Sequence, residues 1–271
     1  MMTPATAMMT VGAQMVGEVL LERYRYGPGP ASKGEMHVHE RWQWCLYVGG
    51  PGSYATRAGC SVFPSGTLTV MAPGEAHAAQ DPDDRHGRSV CLVAYLPAAW
   101  APVHRGLVVD SAASRRAFAR LWPARDRLGA DVALAEFLAT ARSRQTSPES
   151  SHTAMPAVRV AREYLHEHAT EPVKLAQLAG VVGLSPAHLV RAFGRAYGLP
   201  PHRYQTALRI DRTKRLLAVG AMTIGEVAHA AGFADHAHFT RTFRRWVGCP
   251  PSGYAKIVQD TDPRVRLDHR S

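Results

Sequence analysis

The 271 residues are 46% hydrophobic and carry a formal charge of +10 at pH 7. That is length for two ordinary domains and apolar content for real cores, which excludes a disordered chain. No run approaches the roughly 20 apolar residues a membrane-spanning helix needs, and the opening Met/Ala/Thr stretch lacks the basic and apolar regions of a secretory signal. A cytoplasmic protein with no membrane partner is expected. The charge is uneven, with 15 Arg/Lys against 13 Asp/Glu in residues 1–150 and 17 against 9 in residues 151–271. A basic second half beside a near-neutral first half points to nucleic acid as the partner of only one of them.

Taken in chain order, residues 1–15 read as a flexible arm, low in charge and rich in Met, Thr and Ala. Residues 16–110 then break into short β-like runs between Gly and Pro: Val16–Tyr26, Glu35–His39, Gln43–Val48, Gly52–Arg57, Cys60–Phe63, Thr67–Met71 and Ser89–Tyr95. Closely spaced strands with turn signals such as Gly49-Gly50-Pro51-Gly52 predict a sandwich or small barrel. His37 and His39 share strand parity, and His77 follows about forty residues on. Three imidazoles suit zinc, iron, nickel or manganese-class ions, and hydrogen bonding alone is the competing role. His37, His39, Gln43, Trp44, Tyr47, His77 and Gln80 together offer aromatic faces and polar handles, the mixture of a small-molecule pocket. Which face of Gln43–Val48 turns inward stays open, because both faces carry bulky residues. Cys45, Cys60, Cys91 and Cys249 form no CxxC pair or metal spacing, and the first three read as small buried apolar residues in a reducing compartment.

Residues 111–142 turn helical, with one stripe through Ala117, Phe118, Leu121 and Trp122 and another through Val132, Leu134, Phe137, Leu138 and Ala141. The pair is read as a dimerisation segment, with packing on the preceding sheet as the alternative. Residues 143–157 are polar and apolar-poor, a flexible linker. Residues 158–258 form the second domain, and 259–271 a charged tail.

That second domain contains one pattern twice. Ser185-Pro186-Ala187-His188-Leu189-x-Arg191-x-Phe193-x-Arg195 recurs fifty residues on as Asp235-His236-Ala237-His238-Phe239-x-Arg241-x-Phe243-x-Arg245. Each copy reads as a short helix, a turn at Gly183 or Gly232, an N-cap at Ser185 or Asp235, and a second helix: a helix-turn-helix. At 100° per residue Leu189 and Phe193 face inward and Ala187 and Arg191 outward. Phe239 and Phe243 oppose Ala237 and Arg241 in the same way. Small residues beside one arginine suit a helix deep in a DNA major groove, where arginine grips guanine through two hydrogen bonds.

The string Ala228-x3-Gly232-Phe233, then Phe239-x-Arg241-x-Phe243-x3-Val247-Gly248-x-Pro250-Pro251-x2-Tyr254, resembles the DNA-binding domain of the AraC/XylS family of transcription regulators. The resemblance implies seven helices, with two recognition helices set by a long connector over Pro201 to Val219. Carried over by position, it implies base contacts from Ala187, Val190 and Arg191 and from His236, Ala237, Thr240 and Arg241. Arg195, Arg244 and Arg245 are read as phosphate contacts. In front, His37-x-His39-x3-Gln43-x5-Gly49 and Pro73-Gly74-x2-His77 resemble the two motifs of the cupin barrel, the effector domain common in this family. Metal-binding cupins usually carry glutamate where Gln43 stands, and an amide cannot supply that anionic ligand. The expected fold is α+β: a cupin-like β-barrel with a helical dimerisation segment, then an all-α domain with two helix-turn-helix motifs. The expected function is non-enzymatic: an effector-controlled regulator, read as an activator and a homodimer, whose partners are double-stranded DNA, a small-molecule effector and RNA polymerase. The alternative is a metal-dependent cupin enzyme or ligand-binding protein with an accessory nucleic-acid-binding tail.

Overall fold

The computed structural model describes residues 9–100, 108–109, 111–122, 127–141 and 155–261. Among the described residues, the N-terminal half holds nine strands: β1 (Met9–Val16), β2 (Val19–Tyr26), β3 (Trp42–Val48), β4 (Gly52–Thr56), β5 (Gly59–Phe63), β6 (Leu68–Met71), β7 (His77–Gln80), β8 (Ser89–Leu96) and β9 (Val108–Val109). They form an antiparallel sheet in the order β1-β2-β8-β3-β6-β9 and a second in the order β5-β4-β7.

Side-chain alternation assigns the two faces of the larger sheet. Trp44, Leu46, Leu68, Val70, Ala94 and Leu96 turn one way, into a core closed by α1 (Ala112–Ala119) and α2 (Arg127–Ala141). There the Trp44 ring meets Phe137 edge-on at 5.0 Å. The helical segment therefore packs on its own sheet. Leu20, Cys45, Cys91, Val93 and Tyr95 turn the other way, toward Tyr54 and Phe63 of the smaller sheet.

Several expectations shift. Of the arm expected over 1–15, residues 9–15 belong to strand β1, paired with β2 across a turn where Gly17 takes φ +56°. Buried Val11, Ala13 and Val16 anchor it; residues 1–8 lie outside the described residues. Glu35–His39 is not a strand and makes only an isolated bridge, His37 to His77. Cys60 is exposed, because β5 is an edge strand whose outer side no described residue covers. Cys45 and Cys91, unrelated by spacing, lie on neighbouring strands with their sulfurs 2.8 Å apart.

The C-terminal half is helical: α3 (Pro156–Glu167), α4 (Leu175–Val181), α5 (Pro186–Tyr197), α6 (Pro201–Val219), α7 (Ile224–Ala230), α8 (His236–Val247) and α9 (Pro251–Thr261). Helix α3 starts inside the expected linker, whose residues 143–154 lie outside the described residues, as does the tail beyond 261. The long helix α6 serves both helix-turn-helix units. Tyr204 and Leu208 pack with Leu189 and Phe193 of the first, and Ile210 and Leu217 with Phe239 and Phe243 of the second. Most of its middle is buried, with Arg212 left exposed, because the sheet half closes over it. The two halves share one core, in which Val11, Ala13 and Leu20 join Tyr254 and Val258 of α9.

Candidate DNA-binding face and effector cavity

Both helix-turn-helix units follow from local chemistry. Ser185 Oγ caps α5 by accepting from the His188 amide at 3.3 Å. Asp235 caps α8 by accepting from the Ala237 and His238 amides at 2.9 and 3.1 Å, bonds that hold its carboxyl below the usual range. Gly183 and Gly232 make the turns at φ +67° and +85°. Gly232 is the tighter, since a Cβ there would lie 2.1 Å from the Thr170 carbonyl oxygen. Leu189, Phe193, Phe239 and Phe243 are fully buried, which orients the opposite faces outward. Ala187, Arg191 and Arg195 on α5, and His236, Ala237, Arg241, Arg244 and Arg245 on α8, are exposed. Val190 and Thr240 are half-buried, and the Thr240 hydroxyl oxygen is turned out of solvent. Arg245 differs from its neighbours, because its Nε donates to the Glu35 carboxylate of the N-terminal half at 2.5 Å.

Between the halves lies a cavity of about 550 Å³. His37, His39, Gln43, Tyr47 and Gln80 line it as expected. Trp44 does not, since its strand parity sends it to the opposite face of the sheet. His77 is fully buried just behind His37 and His39. Sequence reasoning missed Tyr24, Tyr26, Tyr54 and Tyr95, and the α6 and α8 residues that close the cavity, among them Lys214 and Trp246. Tyr24 and Tyr26 share strand parity, a usable signal; nothing in the sequence of α6 marks Lys214.

Charged groups sew the seam. Glu22, wholly buried in β2, accepts from Lys214 Nζ at 2.8 Å, Tyr254 Oη at 2.5 Å and Tyr24 Oη at 2.6 Å. Lys214 also donates to Tyr95 Oη at 3.1 Å. Burial, and then the charge of Glu22, push the Tyr24, Tyr95 and Tyr254 hydroxyls well above their usual range. Glu40 accepts from His166 at 3.2 Å and Arg215 at 3.1 Å, and the His166 bond, against burial, holds its carboxyl low. Arg57 donates to the carbonyls of Arg195 and Ala196 at the end of α5.

The three histidines form a distinct cluster. Nδ1–H donates to a backbone carbonyl in each: His37 to Glu35 at 2.8 Å, His39 to Arg41 at 3.1 Å and His77 to Glu75 at 2.9 Å. Burial lowers their pKa values, to about 4 for His37 and about 3 for His39, so all are neutral at pH 7. A neutral imidazole that donates through Nδ1 leaves Nε2 as a bare acceptor. Nε2 of His39 nevertheless sits 3.3 Å from Nε2 of His77, which also lies 3.4 Å from Gln43 Oε1. One ring nitrogen from each histidine lies within 4.8 Å of the others. Converging lone pairs with no donor among them, on rings oriented by backbone carbonyls, fit a cation.

Tandem capped helix-turn-helix units with outward arginines define a DNA-binding fold. Residues 178–257 match the family model described as a helix-turn-helix domain. The probable transcriptional regulator LumQ of Photobacterium leiognathi is 30% identical over 96 residues, 35% of this chain and 39% of that protein. The virulence regulon transcriptional activator VirF of Yersinia enterocolitica is 32% identical over 91 residues, 34% of each. The HTH-type transcriptional regulator GbdR of Pseudomonas aeruginosa is 38% identical over 81 residues, 30% of this chain and 22% of that protein. The chain thus matches well under half the length of these relatives. ToxT of Vibrio cholerae shares the fold over 89% of this chain and 98% of its own, with a TM-score of 0.58 and 12% identity. Residues 178–257 are thus a helix-turn-helix domain similar to those of these transcription regulators. Among the described residues no helix is long and apolar enough to cross a membrane.

Proposed function

We propose that this protein is a one-component transcription regulator. In this reading the helical half grips double-stranded DNA, and a small-molecule effector in the seam cavity controls the grip. The observation that carries it is the equivalent exposure of Arg191 and Arg241 on two capped helices, one per helix-turn-helix unit. Arg191 and Arg241 read bases, with Ala187, Val190, His236, Ala237 and Thr240 around them; Arg195 and Arg244 hold phosphates and set register. Thr240 must turn its hydroxyl outward to take part. Selection from a randomised duplex pool, then affinity measurements on the selected site, tests the assignment. Arg241→Ala is expected to cost about 1–3 kcal/mol and to relax preference at one base pair. Equal loss on every sequence would remove its base-reading role.

For the effector, the supporting observation is a cavity walled by both halves, so that a ligand touches sheet and DNA-binding helices together. A structure of ToxT with an unsaturated fatty acid bound shares this fold, with a TM-score of 0.54 and 11% identity, and supports an occupant of small-molecule size. The sheet half serves as a cupin-like barrel, and α1 and α2, which expose Leu128 and Val132, as the seam of a homodimer. RNA polymerase is the further partner of an activator working in the cytoplasm. A native mass spectrum of the purified protein reads subunit count and retained ligand together; a bare monomer would remove both proposals.

The histidine cluster favours a second reading at the same site. His37, His39 and His77 would hold one divalent ion through Nε2, with Gln43 beside it as a neutral neighbour. The ion would supply a Lewis-acidic anchor for an effector donor atom. Elemental analysis is expected to find one metal equivalent, lost in His77→Ala; metal-free protein that takes up neither zinc nor nickel on titration would sink this reading. Turnover of a substrate that vanishes in His37→Ala, with DNA affinity unchanged, would favour the cupin enzyme instead.

A further inference from the structure

Glu35 lies between β2 and β3, and its carboxylate collects two arginines of the other half: Arg203 Nη2 and Arg245 Nε, each at 2.5 Å. Arg203 also lies over the Trp246 ring at 5.6 Å. Glu35 therefore gathers α6, α8 and the sheet half at one point. Arg245 follows Arg241 by four residues, one turn along the exposed side of α8, opposite Phe239 and Phe243. It belongs by position to the basic side of the second recognition helix, yet a carboxylate from the sheet half occupies it.

We propose that Glu35 competes with DNA phosphate for Arg245, and so sets DNA affinity from the N-terminal half; this rests on the DNA-binding reading above. With its Nε on a carboxylate, the Arg245 charge is already offset, and a phosphate approaching the remaining donors meets the Glu35 negative charge beside it. The competition is coupled to the cavity by construction. Glu35 and Arg245 both line it, so an occupant meets both partners of the pair. The Glu35 carbonyl also accepts from the His37 ring at 2.8 Å, which ties the latch to the histidine cluster. Arg57 grips the end of α5 in parallel, so both recognition helices are held from the sheet half.

The test uses the full chain and a random-sequence duplex of ~30 base pairs, titrated across a range of salt. Glu35→Gln keeps the shape and removes the charge. It is expected to bind several-fold tighter, and its plot of log affinity against log salt should steepen by about one, the increment of one added phosphate contact. The gain should disappear in Glu35→Gln combined with Arg245→Gln. Unchanged affinity and slope, or weaker binding at an unchanged slope, overturns the latch and leaves Glu35 a structural residue. Should Glu35→Gln lose its fold by circular dichroism, Glu35→Asp replaces it: the shortened reach frees Arg245, and an unchanged slope again overturns the proposal. Absence of duplex binding at any salt by both the wild-type protein and Glu35→Gln sinks the DNA-binding reading itself, and the latch with it.

Discussion

Helix α8 is held by neighbours in sequence: Asp235 caps its start, Phe239 and Phe243 lie one turn apart, and Gly248 at φ +90° ends it. Strand β3 is held by segments far along the chain, β8 on one side and β6 on the other. The helical half thus draws its form from interactions within a few residues, while the sheet half exists only once distant segments have paired. At the seam neither rule applies. There three acidic side chains of the sheet half, Glu22, Glu35 and Glu40, are each satisfied by cations of the helical half.

Removing the core of the local half should have the largest effect. Phe243→Ala empties a fully buried position and is expected to cost about 3–5 kcal/mol in urea unfolding. A loss under about 1 kcal/mol would mean that α8 is not packed as described. At the seam, Lys214→Met strands the buried carboxylate of Glu22 and is expected to cost about 3 kcal/mol. Adding Glu22→Gln should restore most of that loss, and a double variant no better than the single would show that the pair does not join the halves. The two helix-turn-helix turns then separate in calorimetry. Gly232→Ala meets the Thr170 carbonyl and should cost roughly 2–3 kcal/mol. Gly183→Ala, with nothing within 4 Å of its new Cβ, should cost about 1 kcal/mol of left-handed strain alone. Equal losses would refute the close packing of the second turn. Smallest is Ser185→Ala, which removes the α5 cap for about 1 kcal/mol, read by the fall in Tm.

Legibility follows the same division. The fifty-residue repeat, the inward pairs Leu189/Phe193 and Phe239/Phe243, the two caps and the exposed arginines could all be read from spacing, because helix period and capping are local rules. Most strands of the sheet half could be read as well, but not their partners or faces. Trp44 looked like a cavity residue because β3 is bulky on both sides, and only pairing with β6 and β8 sent it to the core beneath α2. Strand β1 was hidden because its neighbour is needed to cover it, and β7 because its few residues carry no alternation of their own.

By itself, the sequence determined the modules: a β-rich front, a helical pair, two helix-turn-helix units with outward arginines, and an excess of positive charge concentrated in the second half. Periodicity, caps and composition act over a few residues and need no partner. The tertiary structure alone decided what meets across the chain. It buried Glu22 against Lys214, brought Cys45 to Cys91, converged three histidines on a shared volume, and set Glu35 on Arg245. Those contacts join residues scores of positions apart, and their free energy depends on burial and geometry that only the packed chain creates.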